Sequence, residues 1–439
     1  MTEPSPPPEP TPPPATSVDR RRVLLYALAG VSLAAGGTIG YDLYRERKNS
    51  AGERALDEAR AKLPSIPEDR VGYTDSAASM SGRRTLGRTG LRVSLVSIGA
   101  GSLGAPDTVL RAVDRGFNYI DTSTCYGSSE LVIGRALKMR PSARDNLIIA
   151  TKWDPGFDTP KERMLESLDE SLRRMNVDYV DIMQLHWLGG GHKPNDTGFN
   201  RLDNTELYEA MAEAKRAGKV RFFGATSHDS NRGKILEHAI DKGAFDMLLV
   251  KANVLDYESA GIPELLAKAK SSHVGVVIMK SQPGGGKVPM GFEKSRYDVF
   301  QANLRWALAL DCASVVASAI GTDERAQELA IGAVQEKFGL RDAELLDRYA
   351  AALSPDYCRG CAGGCHDACP DGVAIAPVLQ FAMYHDEYRW PERARAHYRA
   401  LPVEQRWSER CTSCTQCTDA CPYGVRAHER VQHARNHLA

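Results

Sequence analysis

Two patterns of hydrophobic and polar positions alternate along most of the chain. From Gly82 onward, short runs rich in β-branched residues are separated by longer stretches in which apolar residues recur every three or four positions. The short runs predict buried strands, and the long stretches predict amphipathic helices such as Thr159–Met175 and Thr205–Ala217. The eight predicted strands are Ser94–Gly99, Asn118–Thr122, Leu147–Lys152, Val180–His186, Val220–Thr226, Asp246–Lys251, Gly275–Lys280 and Ser314–Ile320.

Eight strands that alternate with helices predict an α/β fold, a (β/α)8 TIM barrel. A doubly wound open sheet is the alternative, and the count of eight favours the barrel. From about Arg341 the strand pattern stops, and the remainder predicts a separate, mainly helical domain. The expected organisation is a leader at 1–45, a linker at 46–82, the barrel at 83–340 and the helical domain at 341–439.

The N-terminal segment has the layout of an export signal. Residues 1–19 are rich in proline and predict disorder, and Arg20–Arg22 then precede an apolar stretch from Val23 to about Tyr41. This order resembles a twin-arginine signal, so we expect export to the periplasm or cell envelope. No clean A-x-A site follows, and we expect the stretch to stay as a membrane anchor. A cytoplasmic, membrane-tethered protein is the alternative.

The charge balance argues against one class of function, and the cysteine content indicates another. The 56 basic and 56 acidic side chains balance, which argues against nucleic-acid binding driven by bulk charge. Eight of the ten cysteines lie at or after Cys358. Such clustering indicates a metal site, because structural disulfides are usually spread over a small secreted fold.

The cysteines form two motifs of the kind that binds iron–sulfur clusters. Cys411-x2-Cys414-x2-Cys417-x3-Cys421-Pro422 matches the bacterial ferredoxin run, and Cys358-x2-Cys361-x3-Cys365-x3-Cys369-Pro370 is a near copy with one extra residue. Zinc is the competing metal, since C-x2-C also suits a tetrahedral ion. The resemblance to ferredoxins implies two [4Fe–4S] clusters in a dicluster domain. One would be held by Cys358, Cys361, Cys365 and Cys421, and the other by Cys369, Cys411, Cys414 and Cys417.

Polar residues close three consecutive strands of the predicted barrel. Asp121 ends the second strand and Tyr126 lies in the loop after it, while Lys152 and His186 end the third and fourth strands. Functional residues of such barrels sit where strands end and βα loops begin. We therefore expect these four side chains to meet at one mouth of the barrel.

Several stretches resemble the aldo-keto reductase family, in the branch that carries a C-terminal ferredoxin-type domain. The stretches are Leu86–Ser94, Asp121–Gly127, Thr151-Lys152, Asp181–His186, Gly218–Arg221 and Gly321-Thr322. The resemblance implies a catalytic tetrad of Asp121, Tyr126, Lys152 and His186. It also implies a small carbonyl or alcohol substrate and NADP or NAD as the cofactor.

The tetrad suits carbonyl reduction. Tyr126 would give a proton to the developing alkoxide, and the cation of Lys152 would lower the pKa of the phenol. Asp121 would hold Lys152 charged, and His186 would orient the carbonyl oxygen. Cys125 is interpreted as a loop residue without a chemical role, because no charged neighbour is evident in the sequence.

The expected cofactor contacts depart from the family pattern. Thr226 and Ser227 stand where a Ser-Asn pair would hold the carboxamide, and Ala252 stands where an aromatic residue would stack on the nicotinamide. Gly321 and Thr322 open a helix that could seat a phosphate, and Arg325 supplies a positive charge there. The glycine-rich stretch Gln282–Lys287 could approach the pyrophosphate. The preference between NADH and NADPH stays open.

The leading hypothesis is an oxidoreductase that interconverts a carbonyl and an alcohol with NAD(P)(H), while the clusters exchange electrons with a redox partner protein. The alternative is an electron-transfer or docking module whose barrel no longer binds a nicotinamide cofactor. Ala252 favours the alternative, and the complete tetrad opposes it.

Overall fold

The computed structural model describes residue 80 and residues 82–189, 196–321, 324–361 and 364–439. The predicted leader and most of the linker lie outside these residues. In the described part of the chain, no helix is both long and apolar enough to cross a membrane.

Eight parallel strands close into a barrel, which confirms the predicted fold and excludes the open sheet. Each strand pairs with its neighbours in sequence, and the last strand pairs with the first to complete the ring. The barrel strands are β3 Val96–Gly99, β4 Tyr119–Asp121, β5 Ile148–Trp153, β6 Val180–Leu185, β7 Val220–Ser227, β8 Met247–Lys251, β9 Gly275–Met279 and β10 Ala313–Ser318.

A short hairpin closes the N-terminal end of the barrel. Its strands are β1 Arg83–Thr85 and β2 Arg92–Ser94, which pair antiparallel. Leu86 and Val93 of the hairpin region are buried together with Tyr119 inside the barrel. The bottom is therefore filled with apolar side chains, and only the opposite mouth, where the strands end, is left for polar residues.

Helices surround the barrel, and their apolar faces form the larger hydrophobic core with the outer faces of the strands. They are α1 Pro106–Asp114, α2 Ser129–Met139, α3 Lys161–Met175, α4 Phe199–Leu202, α5 Thr205–Arg216, α6 Arg232–Asp241, α7 Ile262–Ser271, α8 Arg296–Ala309 and α9 Glu324–Val334. Both of the helices that the periodicity predicted are present, within two residues of their expected ends.

The C-terminal region is helical, as predicted. Its helices are α10 Leu340–Leu353, α11 Ile375–Asp386, α12 Pro391–Ala400, α13 Val403–Arg406, α14 Gln416–Asp419 and α15 Ala427–Leu438. The first of them packs on barrel helix α8, where Asp342 accepts two hydrogen bonds from Arg305 at 2.7 and 2.9 Å. Helices α11 and α12 reach the barrel mouth, so this region covers the polar end of the barrel.

Candidate active site at the barrel mouth

A buried ion pair forms the base of the site. Lys152 Nζ donates to Asp121 Oδ1 at 2.5 Å and to the Thr122 carbonyl at 2.6 Å. The second carboxylate oxygen accepts from Gln184 Nε2 at 2.7 Å. Burial lowers the pKa of Lys152, but Asp121 and Tyr126 raise it, and the net direction is upward. Lys152 therefore stays charged in the interior.

Tyr126 lies directly beside this pair. The ammonium of Lys152 is 4.7 Å from the centre of the Tyr126 ring. The charge of Lys152 lowers the pKa of Tyr126, as expected from the sequence, but burial has the larger effect and the net pKa is raised. The expectation of a lowered pKa is wrong in its net direction. Removing water from around the phenol raises the pKa of Tyr126 by more than the positive charge of Lys152 lowers it.

His186 completes the group of four. Its ring meets the Tyr126 ring edge-on, with the centroids 6.2 Å apart. On its other side, Nδ1 lies 3.4 Å from Ser123 Oγ and 3.6 Å from Cys125 Sγ. The fold thus brings all four predicted catalytic side chains to one mouth.

Side chains of the C-terminal region form one wall of this mouth. Arg393 on α12 stacks on Trp187 at 4.1 Å, and its Nη2 donates to Cys125 Sγ at 3.1 Å. Tyr384 on α11 has its hydroxyl 2.9 Å from His228 Nδ1. Cys125 therefore lies between an imidazole and a guanidinium, which contradicts its interpretation as a loop residue without charged neighbours.

Of the two residues predicted to bind the carboxamide, Ser227 is already hydrogen-bonded and only Thr226 has a hydroxyl that could bind a ligand. Ser227 Oγ donates to the Leu188 carbonyl at 2.6 Å and so serves the local backbone. Thr226 Oγ1 is buried and has no hydrogen-bond partner among the described residues. His228, the next residue, is covered by Tyr384. One hydroxyl is left that could receive a ligand.

Ala252 is fully buried in the hydrophobic core, and its methyl group offers no aromatic face to a ligand. Its neighbour Asn253 donates through Nδ2 to the Tyr357 hydroxyl at 2.9 Å. Tyr357 in turn donates to Asp256 Oδ2 at 3.1 Å. The strand end after β8 is thus bonded to the C-terminal region.

Three cations line a groove between the segment after β9 and helices α8 and α9. It has a volume of about 350 Å³ and includes Lys287, Arg296, Tyr297 and Arg325. Gly321 does not line this groove and is buried, with Leu103 and Ile98 closely packed over its Cα. Thr322 lies outside the described residues. The glycine-rich stretch Gln282–Lys287 borders this groove but also contacts the C-terminal region, where Lys287 pairs with Glu387 at 3.3 Å.

The eight C-terminal cysteines fall into two groups of four. All of them are free thiols. Electrostatic interactions join Cys358, Cys361, Cys365 and Cys421 in one group, and Cys369, Cys411, Cys414 and Cys417 in the other. These are the two sets that the ferredoxin resemblance implies. In the present side-chain positions, no three His, Cys, Asp or Glu residues of the described chain are close enough to hold a single metal ion.

The first cysteine group adjoins the barrel. Arg232 Nη1 on α6 donates to the Gly360 carbonyl at 3.1 Å, between Cys358 and Cys361. Lys251 is the last residue of β8. It interacts electrostatically with Cys358 and forms an ion pair with Asp256 at 3.2 Å. A cluster at this position would border strand ends that carry positive charge.

Comparison with known proteins places this geometry in a family. Residues 104–350, more than half of the 439-residue chain, match the profile described as the aldo/keto reductase family. The chain belongs to the aldo/keto reductase family. Residues 357–426 of this aldo/keto reductase match a 4Fe-4S dicluster domain, which supports iron–sulfur clusters over zinc.

Curated relatives cover part of this aldo/keto reductase. L-galactose dehydrogenase of Arabidopsis thaliana is 36% identical over 211 residues, which are 44% of this chain and 63% of that protein. NADH-specific methylglyoxal reductase of Escherichia coli is 28% identical over 230 residues, 45% of this chain and 66% of that protein. The chain thus spans less than two thirds of the length of each.

Solved structures to which the chain is similar include an aldo-keto reductase from Klebsiella pneumoniae in complex with NADPH. It is 20% identical, with a TM-score of 0.49 over 61% of this chain and 95% of that chain. A thermostable aldo-keto reductase in complex with the inhibitor epalrestat is 24% identical, with a TM-score of 0.49 over 61% of this chain and 98% of that chain.

Sequence reasoning missed several residues of the mouth. Lys251 and Lys280 close predicted strands just as Lys152 does, so the strand-end rule could have found both. Arg393 and Tyr384 lie in the aromatic and basic stretch between the cysteine motifs, and no local pattern assigns them to the barrel.

Proposed function

We propose that this aldo/keto reductase interconverts a small carbonyl and the corresponding alcohol, with Tyr126 transferring the proton. The observation that carries the proposal is the convergence of Tyr126, His186 and the Lys152–Asp121 pair at one mouth. At these distances the phenol can donate a proton to a carbonyl oxygen, and the imidazole can orient that oxygen. The buried ammonium can stabilise the phenolate that remains.

The electrostatics of the site suit the reductive direction. Burial raises the pKa of Tyr126, so the hydroxyl is protonated at neutral pH and available as an acid. When the proton leaves, the phenolate faces the ammonium of Lys152, which stabilises the new charge at short range. Asp121 keeps Lys152 in place, and His186 is positioned to donate a hydrogen bond to the substrate oxygen.

The residues present fit a nicotinamide dinucleotide in part. A bound NAD(P)H supplies the hydride. Thr226 Oγ1 is a buried, unpartnered hydroxyl that could bind the carboxamide. Lys287, Arg296 and Arg325 line a groove suited to phosphate groups, and Tyr297 offers an aromatic face there.

The dicluster domain adds one-electron chemistry when its clusters are bound. We propose that the two sets of four cysteines hold two [4Fe–4S] clusters, which exchange electrons with a partner protein. Interactions of Cys358 with Lys251 and of Gly360 with Arg232 put the first set beside the barrel. The second set lies close to the first, since Cys365 also interacts with Cys417.

One observation favours the alternative function, an electron-transfer module that does not bind a nicotinamide cofactor. Tyr384 covers His228, immediately after the predicted carboxamide-binding pair. Titration with NADPH and NADH of the cluster-loaded protein separates the two readings. Saturable binding that weakens in Arg325→Gln supports the dinucleotide enzyme, whereas absence of binding supports the module.

The chemistry is tested by Tyr126→Phe. Carbonyl reduction by wild type is first established with a panel of aldehydes and ketones, with NADPH, NADH or a chemically reduced viologen as the reductant. Loss of the general acid should lower turnover by roughly 10²–10⁴-fold. The control is Tyr179→Phe, because Tyr179 directly precedes β6 at the end of the barrel opposite the mouth. Turnover retained by Tyr126→Phe would remove Tyr126 from the reaction.

We also propose that the protein is exported through its N-terminal arginines and apolar stretch and remains attached to the membrane. The support is the order of these sequence features alone. Fractionation of a tagged full-length chain tests it, and a cytoplasmic soluble pool as the main location would contradict it.

A further inference from the structure

The barrel mouth contains a lysine, Lys280, that forms no ion pair among the described residues. Lys280 follows β9 with a positive φ of 56°, a conformation that costs energy for a residue with a side chain. Its Nζ lies 3.3 Å from the Tyr384 hydroxyl, 4.5 Å from the centre of that ring and 5.0 Å from the centre of the Tyr388 ring. Two aromatic rings from the C-terminal region therefore enclose this ammonium.

A second cation at the mouth is in the same situation. Arg393 stacks between Trp187 at 4.1 Å and Trp390 at 5.4 Å, and its guanidinium is 6.0 Å from the centre of the Tyr126 ring. Its hydrogen bonds go to the carbonyl and the sulfur of Cys125. No ion pair with Arg393 occurs in the described part of the chain.

Three buried cations around the mouth are paired with carboxylates, whereas the buried Arg232 bonds to the Gly360 carbonyl and to Ser259 Oγ. Lys152 has Asp121 at 2.5 Å, Lys251 has Asp256 at 3.2 Å, and Arg201 has Asp196 at 3.0 Å. Lys280 and Arg393 differ from these three paired cations, and the guanidinium of Arg393 lies within 6.0 Å of the centre of the Tyr126 ring.

Holding these two charges together is unfavourable without a counter-ion. Burial lowers the pKa of Lys280 well below its usual value, and the positive charges of Lys251 and Arg393 act in the same direction, while the charge of Asp256 only partly opposes them. An anion between the two groups would reverse this repulsion, and the aromatic walls would strengthen the attraction by excluding water.

We propose that Arg393 and Lys280 bind a carboxylate of the substrate, so that this enzyme acts on small oxo acids and hydroxy acids. The inference rests on the proposed function, since it assumes that the carbonyl faces Tyr126 and His186. A guanidinium presents parallel N–H donors that match a carboxylate, and Lys280 adds a point charge. Because Arg393 belongs to the C-terminal region, the substrate site is complete only when that region is docked on the barrel.

The test compares two probes of nearly the same shape. Oxamate is a non-reducible analogue of a 2-oxo acid, and oxamide replaces its carboxylate with a neutral amide. Isothermal titration of the cluster-loaded protein should show oxamate binding at least tenfold more tightly than oxamide. Equal affinity for the two probes, or binding of neither, would overturn the proposal. Inorganic phosphate is titrated as well, and tighter binding of phosphate than of oxamate would also overturn it.

Variants assign the site to its residues. Arg393→Gln and Lys280→Met should each weaken oxamate binding tenfold or more and leave oxamide binding unchanged. Arg393→Lys keeps the positive charge but loses the parallel N–H donors of the guanidinium. Its affinity for oxamate should therefore lie between those of wild type and Arg393→Gln. The control is Arg395→Gln on the same helix, because Arg395 bonds to Glu392 and the His437 carbonyl instead. Unchanged oxamate affinity in Arg393→Gln would refute the assignment.

The two proposals fail in different ways. Oxamate binding is measured without turnover, so it stands or falls independently of the reaction. If Tyr126→Phe retains turnover, the proposed chemistry is wrong. If neutral ketones are reduced as efficiently as oxo acids and oxamate binds no more tightly than oxamide, only the proposed carboxylate site is wrong.

Discussion

The Asp121–Lys152 pair allows a quantitative prediction about stability. Both side chains are almost completely buried, with 4% and 1% of their surface exposed. Each also has another partner, since Gln184 bonds to the carboxylate and the Thr122 carbonyl accepts from the ammonium. Removing one charge leaves the other in the interior with neutral partners alone.

Breaking a buried pair from one side costs about 3–5 kcal/mol, because an uncompensated charge remains. Lys152→Met and Asp121→Asn should each show this loss. In a domain of this size, 1 kcal/mol shifts the unfolding midpoint by about 2–4 °C, so each variant should melt about 6–20 °C lower. The double variant has no buried charge here and should be more stable than either single variant.

Thermal unfolding followed by circular dichroism at pH 7 measures this, at one scan rate and with matched iron content. The control is Lys161→Met, since Lys161 makes partly exposed ion pairs such as that with Glu213 at 3.4 Å, and such pairs contribute less than about 1 kcal/mol. If the losses of the two single variants simply add in the double variant, the two charges do not interact and the reasoning is refuted.

Two further predictions follow from charges at the interface between the barrel and the C-terminal region. Burial, together with the charges of Arg393 and Lys280, lowers the pKa of His397 to about 4 from its usual value near 6.5. The contribution of the neutral ring to the free energy of unfolding is therefore fully present above pH 6.5, and it is lost as the pH falls towards 4. His397→Phe should remove this part of the acid sensitivity, as measured by unfolding midpoints at pH 5 and pH 7.5; an unchanged difference between them would contradict it. Lys251→Met should lower the midpoint potential of the cluster near Cys358 only, and a redox titration that shifts both clusters or neither would disprove this.

The barrel and its tetrad could be predicted from the sequence because the signals are local. Each strand is a short apolar run, and parallel strands in a closed barrel all end at the same mouth. Asp121, Lys152 and His186 therefore meet without any knowledge of loop conformation. The two cysteine sets were implied by the resemblance of the two short motifs to ferredoxins.

Long-range packing decided what the sequence did not predict. Arg393 meets Cys125 across 268 positions of the chain, and Tyr384 meets His228 across 156. No periodicity in α11 or α12 indicates which surface these helices cover. The net pKa shift of Tyr126 was missed for the same reason, since the burial that raises it depends on the surrounding tertiary structure.

The end of β8 is where the two halves of the proposed chemistry meet. Asn253 and Asp256 bind Tyr357, the residue before Cys358, so the first cysteine motif is fixed to the same rim of the barrel that carries the tetrad. Across the mouth, Arg393 from the C-terminal region contacts the loop that carries Tyr126. Docking of this region therefore positions a cluster-binding motif and a wall of the substrate site at once. A change that loosens the docking should impair substrate binding and electron exchange together, because both depend on the same interface.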